Sequence, residues 1–185
     1  MGYSISVALP NQAERDRMLA FLEQQDWDRL AEISAPDIAG GSLNGGPVAG
    51  ADLAYPPDSV SPDRLLGFNG SGIPHAAWAV VGWVAAQYRK EGKHPHFYYD
   101  SERMTCVVDD DPTNTTRHFQ VDQQGVFVIR PEKAAGFWGM ADAFFKEMAG
   151  RGKQAKLAEQ DWIRHMGQAW AQHNAPETPA KRPKP

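Results

Sequence analysis

The chain has 185 residues, of which 42% are hydrophobic and 23% charged, a globular composition that argues against wholesale disorder. Its single cysteine, Cys106, excludes an intrachain disulfide framework and a cysteine-based zinc site. The formal net charge of −4 is unevenly placed, with 11 basic and 19 acidic side chains in residues 1–145 against 8 and 4 in residues 146–185. An acidic body is a poor match for nucleic acid, because phosphate neutralisation by Lys and Arg supplies most nonspecific affinity.

The first six residues, Met1 to Ser6, have neither a basic n-region nor an apolar h-region, so they do not read as a secretory leader. The longest nearly apolar run, Ala76 to Ala86, is far short of the roughly 20 residues that cross a bilayer. Both features predict a cytosolic protein that inserts into no membrane.

Tyr3, Ile5, Val7 and Leu9 alternate with Ser4, Ser6 and Ala8, the period of a half-buried strand that Pro10 ends. Asn11 then suits an N-cap, with Glu14 in a capping-box relation to it. The spacing predicts a helix over Gln12 to Gln25, with Met18, Phe21 and Leu22 inward and Arg15, Asp16, Arg17 and Glu23 in water. Residues 34–63 are rich in glycine and proline and predict a long irregular loop, the kind of segment that serves as a lid or binding loop.

Residues 64–68 predict a short strand, and Asn69-Gly70-Ser71-Gly72 a turn into a helix opening near Pro74. The run from Gly67 to Gly72 lacks the Gly-Lys-Ser/Thr ending of a P-loop, and Asn69 stands where a nucleophile elbow needs glycine. The next helix is apolar on nearly every face, with Trp83 at its centre, which marks a buried central helix ending around Gly92. Two hairpins follow in the pattern, His96–Tyr99 with Met104–Val108, then Arg117–Asp122 with Val126–Arg130. A helical segment opens at Pro131, Gly150 and Gly152 break it, and a second runs from about Lys153 to Asn174. The predicted class is α+β, a mostly antiparallel sheet of the N-terminal strand plus a meander in 96–130, packed by helices and followed by helical C-terminal segments. Residues 1–149 form the predicted globular domain, 150–174 a C-terminal amphipathic helix, and 175–185 a disordered tail with four prolines.

Chemistry-bearing residues are sparse. His94 and His96 fall two apart on one side of a strand, with Tyr98 on the same side, yet zinc needs three or four convergent ligands. Asp109-Asp110-Asp111 matches a calcium loop in composition alone, since Pro112-Thr113-Asn114 breaks the register. Cys106, among Thr105, Val107 and Val108, fits a buried inert thiol. Neither a metal nor another cofactor is expected.

Two functional readings follow. The first is a small cytosolic accessory protein, of bacterial or phage type in overall character, that binds another protein or a second copy of itself. Trp162, Met166 and Trp170 recur every four residues on the last helix and are its candidate interface. The alternative is a small hydrolase or ligand-binding enzyme whose pocket draws on Ser71, His75, His96, Tyr98 and Asp100, beneath the loop of residues 36–63. A Ser71–His75 pair would need Asp52, Asp58 or Asp63 to complete it. No motif reaches the threshold for an enzyme, so binding leads, and nucleic acid ranks last.

Overall fold

The computed structural model describes residues 2–34, 42–43, 46–58, 60–71, 75–100, 103–109, 119–121, 127–129 and 153–176. Strand β1 (Gly2–Ala8) leads into α1 (Gln12–Glu23) and α2 (Trp27–Ser34). Two short strands follow, β2 (Ser42–Leu43) and β3 (Val48–Ala49), then β4 (Leu65–Ser71) and helix α3 (His75–Lys90). The hairpin β5 (His94–Asp100) and β6 (Arg103–Asp109) precedes β7 (Phe119–Val121), β8 (Phe127–Ile129) and helix α4 (Lys153–His173).

The opening follows its local chemistry. Asn11 is extended and its Oδ1 accepts from the Glu14 N–H at 3.0 Å, capping α1. Glu14 does not close a reciprocal box; its Oε2 accepts instead from Arg17 Nη2 at 2.8 Å and Tyr88 Oη at 2.7 Å. Arg15 departs from its expected place in water. It is buried because its guanidinium donates to Leu65 O at 3.2 Å and to Asp16 Oδ1 at 2.7 Å, so a cation on the inner face finds acceptors. α2 is a separate helix, with Asp26 Oδ1 accepting from Arg29 N–H at 3.1 Å and Trp27 Nε1 donating to Leu22 O at 2.7 Å.

The sheet is mixed, which corrects the expectation of a mostly antiparallel one. Its order is β2-β4-β1-β6-β5, with β3 also on β4. β1 runs antiparallel to β4 from Gly2↔Ser71 to Ala8↔Leu65, and parallel to β6 from Ser4↔Arg103 to Ala8↔Val107. β5 and β6 form the expected antiparallel hairpin, whereas β7 and β8 make a separate two-stranded ladder outside the main sheet. Alternation in a sequence reports which face a residue occupies and is blind to the direction of the neighbouring strand. Asn69, Gly70 and Ser71 are likewise strand and not turn, held by their pairing to β1 and β2.

The helices cover one face. Tyr3, Ile5, Val7, Leu66, Phe68, Cys106 and Val108 from the sheet pack with Met18, Phe21, Leu22, Trp27, Leu30 and the inner side of α3 in one core. α3 ends as a Schellman motif. Gly92 takes φ +86°, its N–H donates to Arg89 O at 3.1 Å, and Lys93 N–H donates to Tyr88 O at 3.1 Å. α4 completes the layer, with Trp162 against Trp27 at 5.5 Å and Trp170 against Phe21 at 4.9 Å between ring centroids. No helix among the described residues is long and apolar enough to cross a membrane.

A polar network ties the end of α4 to α1 and α3. The Arg17 guanidinium lies 4.8 Å from the Trp170 ring centroid and donates to Asn174 Oδ1. Burial alone would raise the Glu14 carboxyl, but hydrogen bonds from Arg17 and Tyr88 outweigh it and hold its pKa below the ordinary 4.5. Burial, then the bond to Glu14, pushes the Tyr88 phenol up. A lowered folded pKa means that this stabilisation is complete above the ordinary glutamate range and is lost as pH falls through the folded value. Glu14→Gln is therefore expected to lower the melting temperature at neutral pH by the equivalent of about 1 kcal/mol. The gap to the parent should narrow as pH falls below the ordinary glutamate range, as read by melts across the pH range.

Candidate functional site

The face of the sheet turned away from the helices carries the most polar residues the fold brings together. Strand alternation puts Ser4, Ser6 and Ala8 there from β1, and Leu65, Gly67, Asn69 and Ser71 from β4. At one end the face is apolar: Ala8, Leu65 and Val107 form a second core with Leu53, beneath Val48 and Val60. These last three belong to residues 46–64, a strap that begins with β3, contains 3-10 turns at Gly50–Asp52 and Pro62–Arg64, and crosses this face.

The strap is pinned at several points. Asn69 Oδ1 accepts from Ala54 N–H at 3.0 Å, and its Nδ2 donates to Asp52 O at 3.0 Å. Arg64 Nε donates to Leu9 O at 2.8 Å. Two glycines allow the close approach. A Cβ on Gly50 would lie 2.2 Å from Pro62 O, and one on Gly67 would lie 2.5 Å from Ile5 O and 2.8 Å from Leu53 Cδ2. Part of the predicted long loop is thus a fitted cover. Its outer surface bears Tyr55, the one large apolar side chain exposed among the described residues, at 43%.

Beyond the strap the face becomes hydroxyl-rich. Ser4 and Ser6 are each 1% exposed and Thr105 is 2% exposed, so the expected wet side of β1 is in fact buried. Ser6 Oγ and Thr105 Oγ1 hydrogen-bond at 3.0 Å, whereas Ser4 Oγ has no partner among the described residues. A buried hydroxyl without a partner costs about 1–3 kcal/mol.

The register sets the other polar positions around these hydroxyls. One row across the strands reads Asn69, Ser4, Arg103, Asp100, and the next Gly67, Ser6, Thr105, Tyr98. His96 pairs with Val107 in the row after. Of the five residues expected to share a pocket, Ser71, His96, Tyr98 and Asp100 therefore occupy positions on one face. They do not form a tight cluster at the backbone: β4 and β5 are three strand spacings apart, about 14 Å. His75 is the first residue of α3, the helix that covers the opposite face. Asp63 lies in the turn before β4, at the far end of that strand from Ser71, and its Oδ1 accepts from Ser61 Oγ at 2.6 Å.

Trp162, Met166 and Trp170, the candidate interface, are buried in their own chain at 8%, 0% and 7% exposure. Their face is occupied by α1, α2 and α3. Cys106 is buried on the helix side of β6. Among the described residues no group of three or more His, Cys, Asp or Glu could hold a metal ion. Asp110, Asp111, His118 and the predicted helix after Pro131 lie outside the described residues. The residues that sequence reasoning missed are Ser4, Ser6 and Thr105, which read as the solvent side of ordinary strands. No protein-family model, curated protein or solved structure matches the chain.

Proposed function

We propose that the protein acts by binding another protein, as a small accessory component, and that its contact surface is the strap of residues 46–64. The observation that carries this reading is Tyr55, exposed on a segment that Asn69, Gly50 and Leu53 fix to the sheet. Tyrosine is enriched at interface centres, where it adds large contact area for little conformational entropy. An anchor on a pinned segment also avoids much of the ordering cost that a loose loop would add on association. The strap carries three carboxylates, Asp52, Asp58 and Asp63, against one cation, Arg64, whose Nε donates to Leu9 O, which favours a partner with a basic contact surface. The apolar face of α4 is not available for this role while it packs in cis.

The test uses the tagged chain and its Tyr55→Ala variant to purify partners from native extract, followed by calorimetry with each recovered protein in pure form. The parent is expected to form a stoichiometric complex that Tyr55→Ala weakens at least tenfold, about 1.4 kcal/mol, with an unchanged melting temperature. Failure to reconstitute any complex would reject protein binding. Equal affinity of the variant would reject the strap as its surface.

A further inference from the structure

The outer surface of the strap has a composition that narrows what can read it. Leu53 is buried and Val60 packs beside it in the second core, so the span between them is held at both ends. Within that span Ala54, Tyr55 and Asp58 are exposed, and Pro56 and Pro57 are half-buried. A proline ring fixes its own φ and steers the residue before it to extended or polyproline II backbone, which here acts on Tyr55 and Pro56 as well. Leu53 enters the span at φ −69° and ψ 136°, already in the polyproline II region. The Ala54 N–H is held by Asn69 on one side, and the Val60 N–H donates to Pro57 O at 3.5 Å on the other. A short, preset run is thus displayed between two anchors.

We infer that Tyr55, Pro56 and Pro57 form a proline ligand, and that its partner is a protein module with an aromatic-lined groove and a basic rim. The inference rests on the protein-binding reading above and names the partner's chemistry. Proteins read short segments in few ways, and the residues of this one close most of them. Strand addition needs main-chain N–H groups, which prolines lack, and two adjacent prolines cannot lie inside a docked helix. Terminal capture needs a chain end, and the carboxylates here flank the run instead of clustering within it. Recognition of the extended proline form remains. That form has no internal hydrogen bonds and loses little entropy on entering an aromatic groove. Tyr55 adds a large amphipathic side chain whose hydroxyl can hydrogen-bond at the groove's edge. Asp52 and Asp58 are exposed on either side of the three residues, which sets the sign of the rim.

The test titrates the full chain with its purified partner by calorimetry, alone and in an excess of free decaproline peptide, with a glycine-serine peptide of the same length as control. The titration is repeated with the double variant Pro56→Ala, Pro57→Ala. Decaproline is expected to weaken the parent's apparent affinity at least tenfold, and the control peptide to leave it unchanged. The double variant is expected to bind at least tenfold more weakly at an unchanged melting temperature. Competition uses the unaltered chain, so it decides the matter even if the variant fails to fold. A complex that depends on Tyr55 but ignores decaproline overturns the proline inference and leaves protein binding through the strap in place. A double variant that binds as tightly as the parent does the same. Failure to form any complex overturns both.

Discussion

Trp83→Ala is expected to cost about 3–5 kcal/mol of folding stability, the largest single-residue effect anticipated in this protein. The indole is 3% exposed, stacks on Phe21 at 6.0 Å and meets Trp170 edge-on at 6.2 Å. Gly167 of α4 backs the same ring, so that even an added Cβ there would sit 3.6 Å from Trp83 Nε1. Three helices converge on one side chain, and the cavity left by alanine could close only by moving all of them. Chemical denaturation of parent and variant measures the difference. A variant melting within about two degrees of the parent would contradict the central position of α3.

The second large effect is removal of residues 153–185. Trp162, Met166 and Trp170 leave the core with them, at about 1.5–3 kcal/mol for each large apolar side chain buried. That loss approaches the whole stability of a typical domain, about 5–15 kcal/mol, before the clamp of Arg17 on Trp170 and Asn174 is considered. The truncated chain is therefore expected to lose cooperative thermal unfolding in circular dichroism and to aggregate in sedimentation. A truncated chain that stays folded but fails to self-associate, where the parent does associate, would instead make α4 the handle for a second copy.

Local elements were legible where one residue decided the outcome. Asn11 marks the start of α1 and Gly92 the end of α3, whereas the four-residue recurrence from Trp162 marks an apolar face that was offered to a partner and that the fold buries in cis. Features that depend on distant partners were not. Arg15 looks like a surface cation until Leu65 O is brought beside it, fifty residues along the chain. Asn69 and Gly70 look like a turn until β1 and β2 pair with this stretch and carry the strand through it. The short α2 has its own cap in Asp26, a signal that could have separated it from α1. For the candidate site, the period of two already put His96 and Tyr98 on one side of β5, whereas Asp100 read as the first residue of the turn and is the last of the strand. Their distance from Ser71 follows from strand order, and a parallel neighbour between two antiparallel ones leaves no mark in either strand's own sequence.

The place of β1 in the middle of the sheet has a consequence for biosynthesis. This strand is made before its partners in the sheet, and its parallel neighbour comes much later, with Ser6 and Thr105 separated by 99 positions. At about 5–20 residues per second, a nascent β1 waits roughly 5–20 s for that edge to be covered. Both edges are open until β4 pairs with one of them, and the other stays open until β6 arrives, the geometry that recruits identical strands from neighbouring chains. Serines at alternate positions make it a poorer template for such pairing than an all-aliphatic strand of the same length. Folding of the sheet is paced by the arrival of β6, and conditions that slow translation between residues 71 and 103 should raise the aggregated fraction of newly made chains.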